Sequence, residues 1–216
     1  MNFAEMVAFL LSLPMALWRS IAPRKFQADF DTYSIDGFDW ADPEHWKLEI
    51  SGEVEKELSF SWDELSKISI SPMTEDFHCI TGWSVLDVFW EGILWKDFIS
   101  IVQPLPSCRF VRFTSHGGYS ASFHTKELEG AMLAIRLRGS PLSHERGGPL
   151  RLVVPGLYAL KNVKGLRHIH FESSRHLGFW EKWGYGPSGR IGMVDKKRIN
   201  KARSSSSPPM QQPKTT

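Results

Sequence analysis

From Trp46 onward the chain alternates apolar and polar residues, first over WKLEISG and then over VEKELSFSW. A period of two sends every second side chain to one sheet face, so both segments are predicted as half-buried strands. Ser61 or Asp63 stands where an N-cap belongs and predicts a short helix over DELSKI. FHCITGWS, residues 77–84, reads as a strand running into a loop. In EGILWKDFISIV the period changes: Ile93, Leu94, Phe98, Ile101 and Val102 recur at helical spacing, which predicts a helix. Strands are predicted near 109–114 and 119–123, joined by the turn HGG, and then near 132–137 and 150–154. Pro155 and Gly156 stop the last of these. LRHIHFES predicts one more strand, and GFWEKWGYGPSG a short helix or turn. Many short strands with scattered helices, and no longer repeat, predict a mixed α+β domain and exclude solenoids and propellers.

The two ends break this pattern. Residues 27–45 are polar, rich in aspartate and punctuated by Gly37 and Pro43, so they read as an irregular arm. Ahead of them an apolar run from Met6 to Trp18 is interrupted by Ser12 and Pro14. It falls short of the about 20 apolar residues that span a bilayer, and it has neither a basic lead nor a twin-arginine pair. The expectation is a helix that packs on the domain or a partner, or touches a membrane surface through residues 1–22, with a cytoplasmic location as the default. The tail from Lys196 is basic and serine- and proline-rich, and reads as solvated chain. The expected organisation is an N-terminal segment and arm over 1–39, a domain over 40–195, and a basic tail over 196–216.

Charge sharpens this division. The net charge is +2, but the tail alone carries Lys196, Lys197, Arg198, Lys201, Arg203 and Lys214, so residues 1–195 are mildly acidic. A nucleic-acid binder needs a basic body, and this chain lacks one. The 216 residues suit one domain, and 42% hydrophobic with 23% charged residues is ordinary for a globular protein. The nine tryptophans are accounted for by core packing.

Candidate chemistry falls into three groups. Cys79 and Cys108 are too few for a disulfide framework. Cys108 precedes an apolar strand and reads as an inert filler. Cys79 sits among polar and aromatic residues. A thiolate is a soft ligand, and a single one can complete a metal site whose other ligands come from a cofactor. No second cysteine lies at CxxC spacing, and His78 would point to the opposite strand face, which argues against zinc. Taken alone, such a cysteine is most often a buried structural residue. The second group is cationic: Arg151 in GGPLRLVVPG, with Lys161, Lys164 and Arg167 in YALKNVKGLRH. Cations fixed beside strands suit phosphate or another anion, although strand ends and ion pairs explain them more simply. Gly117 with Gly118, and Gly147 with Gly148, would let the backbone approach a flat ligand. The third group runs from Trp180 to Tyr185, where a tyrosine hydroxyl could donate to an oxo group or shuttle a proton.

In order, DPEHWKLEISGEVEKELSFSWDEL, DFHCITGWSVLDVFWEG, SHGGYSASFHTKEL, LAIRLRGSPLSHERGGPLRLVVPGLYALKNVKGLRHI and GFWEKWGYG resemble the sulfite-oxidase superfamily of molybdopterin enzymes over about residues 40–190. The likeness is greatest to its small single-domain members and to the molybdenum subunit of the periplasmic methionine-sulfoxide reductase. The resemblance implies a sulfite-oxidase-type fold of mixed β-sheets and short helices. It implies one molybdenum–molybdopterin cofactor per chain, with Cys79 as the protein's metal ligand and catalytic thiolate. It makes Tyr185 the active-site tyrosine. Arg146, Arg151, Lys161, Lys164, His78 and Gly118 become the expected cofactor contacts. The chemistry implied is oxygen-atom transfer on a small substrate (sulfite, a sulfoxide or similar), with electrons exchanged with a separate haem or flavin carrier.

The sequence departs from the family at several positions. Arg146 stands where relatives often carry histidine, and Gly165 where sulfite oxidases carry tryptophan and the sulfoxide-reductase branch a small residue. His116 replaces an acid, and the arm has no counterpart to a histidine that members often place there. These departures keep a second reading open, a catalytically silent cofactor-binding or scaffold protein of the same fold. A third is a cysteine hydrolase with Cys79 as nucleophile and His170 or His124 as base. Oligomeric state, substrate and reaction direction are not specified by the sequence.

Overall fold

The computed structural model describes residues 25–33 and 45–191. The expectations for residues 1–22 and for the tail 196–216 lie outside these residues.

Two sheets carry the fold. The first gathers β2 (Lys47–Gly52), β3 (Leu58–Ser61), β6 (Phe110–Ser115), β7 (Ser120–His124) and β11 (Leu166–Glu172) in the order β3-β2-β11-β6-β7. The second is built on β5 (Trp83–Leu94), which pairs with β1 (Lys25–Phe26), β4 (Ser71–His78) and β8 (Met132–Leu137). β8 in turn pairs with β10 (Arg151–Val153) and the short β9 (Ser140–Pro141). The described residues also form three short α-helices, α1 (Trp62–Leu65) and α2 (Trp95–Val102) between strands and α3 (Phe179–Lys182) after β11. No helix among the described residues is long and apolar enough to cross a membrane.

The period-two reading of the chain yields these strands, with adjustments that have physical causes. β2 alternates buried and exposed positions as its sequence does, and Leu48 and Ile50 are fully buried. The strand expected over VEKELSFSW is shortened to β3, because the chain turns at Gly52 (φ +91°) and Val54 N donates to Gly52 O. Ser61 is the N-cap of α1: its hydroxyl accepts from Glu64 N while the Glu64 carboxylate accepts from Ser61 N. The helix expected from Glu91 begins only at Trp95. Glu91–Leu94 stay extended because Ile93 and Leu94 pair with Leu133 and Met132 of β8. A Cβ at Gly92 would lie 2.2 Å from Leu133 O, so this strand contact needs glycine. Tertiary pairing overrides helical spacing here.

The apolar interior divides in two. A large cluster around Trp46, Leu48, Phe98, Phe113, Phe123 and Phe171 fills the space behind the five-stranded sheet. A smaller one joins Phe30, Phe77, Trp83 and Trp90 with Cys79 along β4 and β5. The smaller cluster is the floor of the candidate site.

Candidate active site

Cys79 occupies the tip of the β4–β5 hairpin. Its backbone N donates to Trp83 O, and Gly82 N donates back to Cys79 O, closing a tight turn over Cys79–Ile80–Thr81–Gly82. Gly82 takes φ +107°, a conformation that glycine adopts without a Cβ clash. The turn aims the side chain inward, where Cys79 is 8% exposed, and Thr81 Oγ1 donates to its sulfur at 3.2 Å. A second rail steadies the turn: β1 runs parallel to β5, with Lys25 N donating to Gly82 O and Gln27 N to Ser84 O.

Three cations gather beside this thiol. Arg151, on β10, is 2% exposed, and its guanidinium lies over Phe77 and Trp90 with centroid distances of 5.2 and 5.1 Å. One amino group donates to Arg146 O at 2.7 Å, while the buried Nε has no partner in the structure. Burial, with Arg146 adding to it, brings the Arg151 pKa down to about 9. Lys164 donates to Tyr33 O at 3.0 Å and Glu145 O at 2.8 Å. Burial first, and then Arg151 and Arg146, push its pKa down to about 7, with Glu145 and Cys79 acting weakly in the other direction. Arg146 lies over Phe30 at 5.2 Å and donates to Phe30 O, Thr32 Oγ1 and Asp29. The acids near this group, Asp29 and Glu145, lie at the surface. Gly147 (φ +97°) lets the loop close, since a Cβ there would sit 2.8 Å from the Lys164 stem.

The arm contributes more than its sequence indicates. Phe30 packs edge-on against Phe77, with rings 4.9 Å apart, and also against Trp83 and Trp90. Desolvation raises the Tyr33 pKa, with Asp31 and Cys79 adding to it, which places Tyr33 within electrostatic reach of the thiol. Polar composition marks residues 27–33 as an irregular link, and only the Phe30 side chain hints at a docked segment.

Other expected contacts lie elsewhere. Lys161 is 1% exposed, but its amine is committed to Ser122 O, to Glu181 at 2.7 Å and to Pro187 O at 3.1 Å, over the Phe123 ring. It belongs to the larger core, and a carboxylate already answers its charge. Tyr185 stands just past α3, with its ring 5.0 Å from Trp180 and its N donating to Trp180 O. His78 Nδ1 shares a 2.7 Å hydrogen bond with Ser84 Oγ, and its Nε2 lies 3.9 Å from Asp76. Gly118 (φ +93°) makes the β6–β7 turn, with nothing within 4 Å of where a Cβ would be. Next to it His116 N donates to Gly165 O, so this turn rests on the residue after Lys164. At Gly147 and Gly148 the space a Cβ would take is filled by Lys164 and by Leu142 O, so close packing within the protein by itself requires glycine at both.

Neither histidine expected as the base of a hydrolase lies on the sheet that carries Cys79. His170 Nδ1 and His168 Nε2 both bond Ser51 Oγ, at 2.7 and 2.6 Å, and His124 accepts from Lys126 N. Both candidates sit on the five-stranded sheet, whereas Cys79 belongs to the other one. Among the described residues no three His, Cys, Asp or Glu side chains gather to hold a metal. A metal at Cys79 would therefore draw its further ligands from a cofactor. The site fits such a group: a buried thiol, three clustered cations and an orphaned guanidinium N–H on Arg151 suit an anionic ligand.

A fold of two mixed sheets and a thiol–cation site of this kind define a class. The chain belongs to the oxidoreductase molybdopterin-binding domain family, whose model matches residues 36–180, and it is an oxidoreductase domain of that family. It is 32% identical over 152 residues to the uncharacterised oxidoreductase YuiH of Bacillus subtilis, covering 69% of this chain and 77% of that one. It is 30% identical over 164 residues to the protein-methionine-sulfoxide reductase catalytic subunit MsrP of Campylobacter jejuni, covering 67% of this chain. The match takes in 54% of that subunit, so the chain spans about half its length. The solved sulfane dehydrogenase SoxCD of Paracoccus pantotrophus shares the fold at a TM-score of 0.60 and 18% identity, covering 76% of this chain and 54% of that one.

Proposed function

We propose that this domain holds one molybdenum–molybdopterin cofactor, with Cys79 as the single protein ligand to the metal, and transfers an oxygen atom to or from a small sulfur-containing substrate. One observation carries the reading: the buried Cys79 thiol sits beside a cluster of three cations, in which the buried Arg151 guanidinium keeps an N–H without a partner. The bound group would supply two-electron redox chemistry and the site of oxygen transfer.

The chain's own residues would hold and tune it. Arg146 and Lys164 offer charged donors to a phosphate, and Arg151 offers its buried Nε–H to the ligand's polar edge. Thr81 Oγ1 donates to the Cys79 sulfur and helps to fix its orientation. Phe77, Trp83 and Trp90 keep water from the floor of the site. Tyr185 would donate from its hydroxyl to the substrate oxygen.

The likeness to MsrP supports a sulfoxide as substrate, reduced to a sulfide and water with two electrons and two protons. Those electrons would come from a separate haem or flavin carrier, and the domain would work in the cytoplasm. The test is elemental analysis of protein matured in a host that makes the cofactor, followed by turnover with a sulfoxide and reduced viologen. About one molybdenum per chain is expected, together with abolished turnover but an unchanged circular-dichroism spectrum in Cys79→Ser. Matured protein that holds neither molybdenum nor pterin would sink the reading. Loaded protein that never changes redox state with any donor or acceptor would instead establish the silent scaffold.

A further inference from the structure

The buried cation that does not serve the thiol has a different set of contacts, on the segment that carries Tyr185 and on β7. Lys161 Nζ donates to Glu181 Oε1 at 2.7 Å, to Pro187 O at 3.1 Å and to Ser122 O on β7. Arg175 Nη2 reaches the same three acceptors, at 3.4, 3.0 and 3.3 Å. Glu181 Oε2 accepts from Gly178 N at 2.9 Å, which ties the start of α3 to the same carboxylate. Gly189 lies on the aliphatic stem of Lys161, where a Cβ would come within 2.4 Å of its Cγ. Gly178 lies just as closely on β7, where a Cβ would meet Ser120 O at 2.7 Å. Tyr185 thus stands between two anchors, Glu181 and Pro187, that the same two cations hold against β7. Between the anchors the backbone is secured by short turns, with Gly184 N donating to Glu181 O and Tyr185 N to Trp180 O.

We infer that Lys161 and Arg175, clasping Glu181 and Pro187, form a clamp that positions Tyr185 for the oxygen-transfer step, so that Lys161 is a positioning residue and not a cofactor ligand. The inference rests on the proposed role of Tyr185. The geometry has a reason: a loop of glycines and a proline (Gly184, Gly186, Pro187, Gly189) has little side-chain packing of its own to fix it. Charge-assisted hydrogen bonds from a buried ammonium supply a fixed geometry that such a loop lacks. Two cations on one carboxylate also leave the second carboxylate oxygen free to fix the helix start.

The test uses molybdenum-loaded protein and two variants, Lys161→Met and the gentler Arg175→Gln. Three readouts are compared with wild type: metal per chain, amide hydrogen exchange, and kcat and KM for a sulfoxide with reduced viologen. The expected result is unchanged molybdenum content, with exchange over residues 183–189 faster by about tenfold while β8 is unaffected. kcat falls with little change in KM, and the fall vanishes when the same variants are made in a Tyr185→Phe background. Molybdenum lost without faster exchange would make Lys161 a cofactor contact and overturn the inference. Unchanged exchange would overturn it too, as would a kcat loss that persists in Tyr185→Phe. A Tyr185→Phe protein with full activity would remove the tyrosine from the proposed mechanism, and the clamp's catalytic role with it, while the exchange data would still report on the clamp itself. If Lys161→Met does not accumulate, Arg175→Gln decides, because it leaves the buried ion pair in place.

Discussion

Lys161 and Lys164 lie three residues apart in one run, on opposite sides of a divide in the molecule. Lys161 is buried against a buried acid, Glu181, with both side chains nearly inaccessible. Lys164 is turned toward Arg146, Arg151 and Cys79, and the acids near that group, Asp29 and Glu145, are at the surface. Burial lowers the pKa of both lysines, but only Lys161 has a buried carboxylate pulling it back up. One lysine completes the fold; the other is held in a charge cluster that an anion would settle. A buried cation already answered by a buried carboxylate, as Lys161 is, therefore says nothing about a ligand.

The contrast can be broken most directly at Lys161. Lys161→Met leaves Glu181 buried without its ammonium, and should cost about 3–5 kcal/mol in urea unfolding. A Lys161→Met/Glu181→Leu double variant should recover most of that loss, since it removes both charges. A double variant as unstable as the single would show that the ion pair is not the element that matters.

At Arg151 the opposite behaviour is expected. In cofactor-free protein Arg151→Met should leave unfolding stability within about 1 kcal/mol of wild type, because the lost bond to Arg146 O is offset by relief of a desolvated charge. Cofactor retention should fall sharply in the same variant, measured as molybdenum per chain. A large stability loss with full metal loading would place Arg151 with Lys161, in the structural class.

Lys164 sharpens the comparison through pH. Its folded pKa of about 7 is below the ordinary 10.5, so the unfolded chain takes up a proton at higher pH than the folded one. Stability of the cofactor-free protein should rise with pH between about 7 and 10, and be flat with respect to this group below 7. The limiting slope for one proton is about 1.4 kcal/mol per pH unit, and solvent screening at a half-buried amine reduces it to a fraction of that. Lys164→Met should flatten the profile in a series of chemical melts, and a flat wild-type profile would show the amine to be unperturbed.

The smallest effect belongs to a histidine outside both clusters. Burial, with His170 and Arg112 adding to it, holds His168 below its usual value, so its contribution should be lost as pH falls through about 6.5 and below. For a half-buried ring this amounts to less than about 1 kcal/mol, and His168→Gln should remove it from the acid limb of a thermal melt.

The elements were largely legible. Alternation marked β2, strand-like runs between turn residues marked β6, β7, β8 and β11, and a cap at Ser61 or Asp63 marked α1, because each of these signals is local to the segment that carries it. Glu91–Leu94 was not legible as strand: its helical spacing is real, and only the neighbouring β8 turns it into sheet. The arm was not legible either, since its role depends on Phe30 meeting three aromatic rings from β4 and β5.

For the site, the sequence by itself set the inventory: one thiol where a strand runs into a loop, cations in a fixed order behind it, and a tyrosine after a short helix or turn. These follow from residue type and spacing, which survive any arrangement of the strands. Only the tertiary structure decided which cations face the thiol and which are answered by a carboxylate. That choice depends on Glu181, twenty residues after Lys161, folding back onto β7, and on burial raising the cost of every charge left without a partner. No local pattern encodes the distance between them.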